Sequence, residues 1–115
     1  MTMKRWLFLC AALIALAPLP ANAIVCDGKV KPVVVFRTAW CPYCLYLERF
    51  LDDAGVLYMK CDIEKDTVCA DALWRLTHQG GVPATLVCRE YVLGADIESI
   101  QMLLYRYGQY GTYGE

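Results

Sequence analysis

A single histidine, His78, is present among 115 residues. A zinc site built on one Cys-x-x-Cys needs two further ligands, and no second Cys-x-x-Cys exists to supply them. Basic residues show no excess: 11 lysines and arginines face 12 aspartates and glutamates. The electrostatic footprint of a nucleic-acid binder is therefore missing. No apolar run reaches the roughly twenty residues of a membrane span, and no internal repeat is visible. Apolar residues make up 58% and charged residues 20%, so this is not the polar composition that stays disordered. The length fits one domain. Cysteine, by contrast, is abundant, with seven copies. That points to disulfide or metal chemistry.

Residues 1–23 read as a secretory signal peptide. Lys4 and Arg5 open it, an apolar run from Trp6 to Ala17 follows, and Ala21-Asn22-Ala23 supplies a small-x-small cleavage site. An uncleaved anchor and a lipid anchor at Cys26 are the weaker alternatives, the second because Val25 stands where lipoprotein processing wants a small residue. Removal of the leader takes Lys4, Arg5 and Cys10 with it, moving the formal charge from −1 to −3. Cys26, Cys41, Cys44, Cys61, Cys69 and Cys88 remain. An even cysteine count in an exported chain fits an oxidising compartment, here a bacterial periplasm, with a eukaryotic secretory route left open. A core this small gains from structural disulfides.

The rest alternates strands and helices. Val33-Val34-Val35-Phe36 reads as a buried central strand. Leu47, Phe50 and Leu51 recur at helical spacing over 43–54, with Pro42 allowed in the first turn and Gly55 as the stop. A second strand is expected over 56–63. Asp66 or Thr67 caps a helix to about Thr77 whose apolar side is Ala70, Leu73, Trp74 and Leu76. Thr85 to Cys88 and Tyr91 to Leu93 form a hairpin over a tight Arg89-Glu90 link. Asp96 caps a last helix to roughly Tyr107. The order is β-α-β-α-β-β-α, an α/β domain over 24–107 with a four-stranded mixed sheet and three helices. The tail 108–115 has no periodicity and is expected to be mobile.

The chemistry lies at Cys41-Pro42-Tyr43-Cys44. A Cys-x-x-Cys that follows a strand and opens a helix is a redox motif. Its first sulfur meets the unpaired N–H groups and the dipole of a helix N-terminus, which favour the thiolate, the attacking form in disulfide exchange. Cys44, one turn on, closes the ring and expels a bound partner. A metal half-site and a plain structural disulfide are the alternatives.

Cys-Pro-Tyr-Cys resembles the dithiol signature of the glutaredoxin family. Gly81-Val82-Pro83 matches that family's x-Val-Pro segment, and Gly94-Ala95-Asp96 is similar to the turn that opens its last helix. Thr38 stands where the family usually carries lysine or arginine, and Trp40 before Cys41 is a thioredoxin habit. The resemblance implies a thioredoxin-like fold with Cys41 and Cys44 catalytic and Pro83 a cis proline facing them. It also implies a glutathione site. The Val82 backbone would pair with the cysteinyl part, and Ala95 and Asp96 would hold the γ-glutamyl carboxylate through backbone N–H groups. Gln79 would reach the glycine carboxylate, while Pro42 and Tyr43 would line the groove. No bound cofactor and no resident metal are implied; glutathione is the co-substrate, or a protein thiol or disulfide is the partner. No nucleic-acid partner, no membrane insertion after leader removal and a monomer are expected.

Six cysteines allow fifteen pairings. In the inferred fold, Cys61 and Cys69 lie near the active end, while Cys26 and Cys88 meet at the opposite end. Cys26–Cys88 and Cys61–Cys69 are thus the expected bridges, with Cys88 as a buried free thiol left open. His78 reads as a solvated helix-end residue and Trp74 as core. Arg37 is either a surface charge near the thiolate or an ordinary strand-end arginine. Asp52-Asp53 reads as a solvated helix end. Asp62, Glu64 and Asp66 lack calcium-loop spacing. The expected function is glutaredoxin-like thiol–disulfide exchange on glutathione mixed disulfides or protein disulfides. The alternatives are a periplasmic thioredoxin-like enzyme independent of glutathione and a Cu(I) or zinc carrier.

Overall fold

The structure is a computed structural model that describes residues 23–108. All but the last residue of the expected leader, and all but the first of the expected tail, lie outside the described residues.

The described residues open with a hairpin that the strand periodicity did not announce. β1 (Ile24–Cys26) pairs antiparallel with β2 (Lys29–Lys31). Asp27 and Gly28 turn between them with φ of 54° and 78°. Two successive positive φ angles are what a type I′ hairpin turn requires, and Asp-Gly is a favoured pair for it.

The remaining elements are β3 (Val33–Arg37), α1 (Pro42–Asp53), β4 (Tyr58–Asp62), α2 (Thr67–Thr77), β5 (Ala84–Val87), β6 (Glu90–Leu93) and α3 (Ile97–Tyr107). The sheet order is β4-β3-β5-β6. β3 and β4 are parallel across the α1 crossover, whereas β5 is antiparallel to both β3 and β6. This is the expected four-stranded mixed sheet with three helices. Two boundaries differ. β4 is shorter than 56–63, because the Val56 N–H is taken by the Leu51 carbonyl at 3.0 Å and cannot join the ladder. The last hairpin turns at Cys88-Arg89 and not at Arg89-Glu90, since Val87 is already paired with Glu90.

Side-chain alternation along β3 divides the core. Val33 and Val35 join Leu47 and Leu51 of α1 and Ile100, Leu103 and Leu104 of α3. Val34 and Phe36 pack with Leu73 and Leu76 of α2. Ile24 of the hairpin is buried in the first of these clusters. Trp74 is not core: it is 59% exposed, because α2 buries a narrow stripe of Cys69 and Leu73. Its ring instead meets His78 edge-on at 6.5 Å.

Among the described residues, two disulfides lie outside the Cys-x-x-Cys motif. Cys26–Cys88 joins the β1–β2 hairpin to the turn after β5, and Asp27 and Arg89 form an ion pair between the same two turns. Cys61–Cys69 joins β4 to the first turn of α2.

Candidate functional site

Cys41 is the N-cap of α1, with extended backbone and Pro42 in the first turn. Its sulfur accepts a hydrogen bond from the Cys44 N–H at 3.1 Å. A cap sulfur is one of the few acceptors available to the orphan N–H groups of a helix start. The same geometry favours negative charge on that sulfur once it is reduced. Cys41 and Cys44 are joined as a disulfide, with Cα atoms 5.2 Å apart. Both are buried, Cys44 fully.

Val82-Pro83 is a cis peptide at the start of β5, and the Pro83 carbonyl accepts the Gly94 N–H at 2.8 Å. That bond ties the segment before β5 to the turn after β6. Gln79, Val82 and Pro83 share a cleft of about 170 Å³ with Gly81, Leu93 and Gly94. Pro42, Tyr43 and Ala95 line a second, adjoining cleft of about 440 Å³ together with Tyr46. Asp96 faces a third depression, along β6 and α3. Its carboxylate is engaged as the α3 cap, accepting from the Ser99 N–H at 3.2 Å and the Ser99 hydroxyl at 2.7 Å. Those bonds from Ser99 hold Asp96 below the ordinary carboxylate value. The residues expected in one glutathione groove therefore divide over three neighbouring surfaces. A larger depression of about 530 Å³ on α3, lined by Glu98, Gln101, Met102, Tyr105 and Arg106, contains none of them.

Arg37 corrects one expectation. It is not a surface charge: its side chain is 12% exposed and turned onto Glu48 at 2.8 Å and Asp62 at 3.3 Å. The hydrogen bond to Glu48 raises its pKa above the ordinary guanidinium value, against the opposing effect of burial. Glu48 lies on the buried stripe of α1 between Leu47 and Leu51 and needs a compensating cation. Lys60 adds a second at 3.5 Å. The signal was present in the sequence, as a carboxylate on an otherwise apolar helix face.

The acidic segment after β4 has defined tasks. Asp62 accepts the N–H groups of Glu64 and Lys65. Glu64 accepts the Trp40 indole N–H at 2.8 Å, fixing an exposed ring directly before Cys41. Asp66 caps α2 through Val68. Among the described residues no cluster of three or more His, Cys, Asp or Glu side chains is placed to hold a metal ion. Asp52 accepts the Tyr58 hydroxyl at 2.8 Å; burial of that phenol, then the Asp52 bond, raises its pKa. His78 ends α2 in the left-handed region, exposed.

Residues 33–92 match the family model for glutaredoxin. A glutaredoxin of Pseudomonas aeruginosa is 31% identical over 67 residues, covering 58% of this chain and 80% of that protein. A crystal structure of a thioredoxin-like protein, in a mutant form, has a TM-score of 0.60 at 29% identity, covering 63% of this chain and 97% of the other. A buckwheat glutaredoxin solved in complex with glutathione has a TM-score of 0.53 at 23% identity, covering 65% of this chain and 74% of the other. The chain belongs to the glutaredoxin family, a family of thiol–disulfide oxidoreductases with the thioredoxin-like fold.

Proposed function

We propose that the protein exchanges disulfides through the Cys41/Cys44 couple, with glutathione as co-substrate. The observation that carries this is the Cys41 sulfur at the N-cap of α1, accepting the Cys44 N–H. The reduced Cys41 thiolate attacks a sulfur of a glutathione mixed disulfide. A bond forms between Cys41 and glutathione, the substrate S–S bond breaks, and the released thiolate takes a proton from solvent. A second glutathione then attacks the glutathione sulfur of the adduct and expels the Cys41 thiolate, or Cys44 attacks the Cys41 sulfur and expels glutathione. With glutathione the products are oxidised glutathione and the reduced site. With Cys44 they are free glutathione and the Cys41–Cys44 disulfide, two electrons having passed from the dithiol to the substrate. The Val82 backbone aligns the cysteinyl part, the N–H groups at Ala95 and Asp96 receive the γ-glutamyl carboxylate, and Gln79 faces the glycine carboxylate. The glutathione complex of the buckwheat relative supports this reading.

We also propose that the chain works after export. Two disulfides beyond the motif suit an oxidising compartment such as a periplasm. Mass measurement of the secreted protein should give a chain starting at Ile24; an intact Met1 terminus contradicts export with cleavage.

The functional test is glutathione-dependent reduction of a small mixed disulfide by the native protein and by Cys44→Ser. Activity that persists in Cys44→Ser establishes the glutathione route. Activity towards protein disulfides alone, lost in Cys44→Ser, replaces it with a glutathione-independent one.

A further inference from the structure

Cys61–Cys69 has features that a brace does not need. It closes over eight residues, whereas Cys26–Cys88 closes over 62. A short ring restricts the unfolded chain least, so opening it costs the fold least. Cys61 lies on β4, an outer strand of the sheet, and is only half-buried, which gives a dissolved thiol its approach. Cys69 stands in the first turn of α2. The N–H groups and dipole of a helix start stabilise a thiolate, and a stabilised thiolate leaves faster. Cys41 has the same setting at the start of α1, and neither Cys26 nor Cys88 stands at a helix start. The ring is also tied to the segment that leads into the motif. Within it, Glu64 accepts the Trp40 indole N–H at 2.8 Å, and Trp40 directly precedes Cys41. Asp62 holds Arg37 at 3.3 Å, and the Ile63 N–H donates to the Arg37 carbonyl at 3.1 Å.

We propose that Cys61–Cys69 is a second redox site, coupled to Cys41–Cys44 through Glu64 and Trp40. Its reactant is a small thiol of the glutathione class. A glutathione thiolate attacks the Cys61 sulfur, the Cys61–Cys69 bond breaks, and Cys69 leaves as a thiolate that takes a proton from solvent. A second glutathione thiolate attacks the glutathione sulfur of that adduct and expels the Cys61 thiolate, which is protonated in turn. Two electrons enter the protein and oxidised glutathione leaves. The opened ring no longer holds Glu64 in place against Trp40. That bond belongs to the form in which Cys41–Cys44 is closed, so its loss withdraws support from the closed motif and favours the dithiol. The coupling is reciprocal: a closed Cys41–Cys44 makes Cys61–Cys69 harder to reduce by the same factor. This inference rests on the glutathione exchange at Cys41 proposed above.

The test equilibrates the native protein in buffers of graded reduced-to-oxidised glutathione ratio and quantifies each disulfide by alkylation and peptide mass mapping. Cys61–Cys69 should open within the range of buffers, and Cys26–Cys88 should stay closed throughout. Cys61→Ala/Cys69→Ala should shift the equilibrium of Cys41–Cys44 with glutathione about fivefold towards the dithiol. Glu64→Leu keeps both disulfides and should reproduce that shift. Adding the alanine pair to Glu64→Leu should then change the constant by less than about twofold, because the link is already cut. Three results overturn this inference while Cys41 still exchanges with glutathione. They are a Cys61–Cys69 bond that stays closed in every buffer that opens Cys41–Cys44, an unshifted constant in the alanine pair, and additive shifts in the triple variant. A Cys41–Cys44 disulfide that equilibrates with glutathione in none of the buffers overturns the exchange reading and the coupling together.

Discussion

The Glu48 carboxylate meets the Arg37 guanidinium at 2.8 Å, with side-chain exposures of 4% and 12%. The pair bridges α1 and β3 one helical turn beyond Cys44. A buried pair of this kind contributes little against an apolar replacement, but a lone survivor is costly. Glu48→Gln should therefore lower unfolding free energy by roughly 3 kcal/mol, leaving Arg37 with Asp62 only. The double variant Arg37→Met/Glu48→Leu should recover most of that loss. Urea unfolding of the three proteins checks both statements; an additive double variant contradicts the coupling.

The two structural disulfides should differ in weight. Cys26–Cys88 spans 62 residues and Cys61–Cys69 spans eight. By chain entropy these loops correspond to about 4 and about 2.5 kcal/mol. Cys26→Ala/Cys88→Ala should lower the denaturation midpoint more than Cys61→Ala/Cys69→Ala. The reverse order would show that folded-state contacts outweigh loop closure.

Thr85 is fully buried on β5, and among the described residues its hydroxyl has no hydrogen-bond partner. An unmet buried hydroxyl costs about 1–3 kcal/mol, and valine has nearly the same shape. Thr85→Val should raise Tm by several degrees. An unchanged or lower Tm would mean that the hydroxyl is satisfied in solution.

Acid should destabilise the fold through Glu90 and Asp96. The Tyr107 hydroxyl and then Arg106 hold Glu90 below its ordinary value, and Ser99 does the same for Asp96. A carboxylate with a depressed native pKa binds fewer protons in the native than in the unfolded state. Its stabilisation is complete above the unfolded value, near pH 4, and is lost as pH falls through the folded one. Tm should fall on acidification below about pH 4, and Asp96→Asn, which keeps a capping oxygen, should show a shallower acid limb. A native and an Asp96→Asn limb of equal slope contradict the assignment.

Much of the fold was legible because its signals are local. The Val33–Phe36 run, the helical spacing of Leu47 and Leu51, and the caps at Asp66 and Asp96 each act within a few residues. The β1–β2 hairpin carries a turn signal in Asp27-Gly28, but its strands of three residues each are too short for an alternating pattern to stand out. Trp74 was misplaced because helical spacing marks a face without fixing how wide a stripe the sheet covers. At the site, the cap role of Cys41 follows from the motif, whereas the cleft of Tyr46 and Ala95 does not. It depends on how closely α3 begins beside α1, a tertiary distance with no local code. Arg37 and Glu48, eleven residues apart, find each other for the same kind of reason.

The central claim is that Cys41 is the attacking sulfur and Cys44 the resolving one. The most direct measurement treats reduced Cys44→Ser with oxidised glutathione and maps the adduct by mass spectrometry. The account predicts one glutathione per chain, on Cys41, and none on Cys41→Ser under the same conditions. An adduct that persists in Cys41→Ser, or its absence from Cys41 in Cys44→Ser, would contradict it.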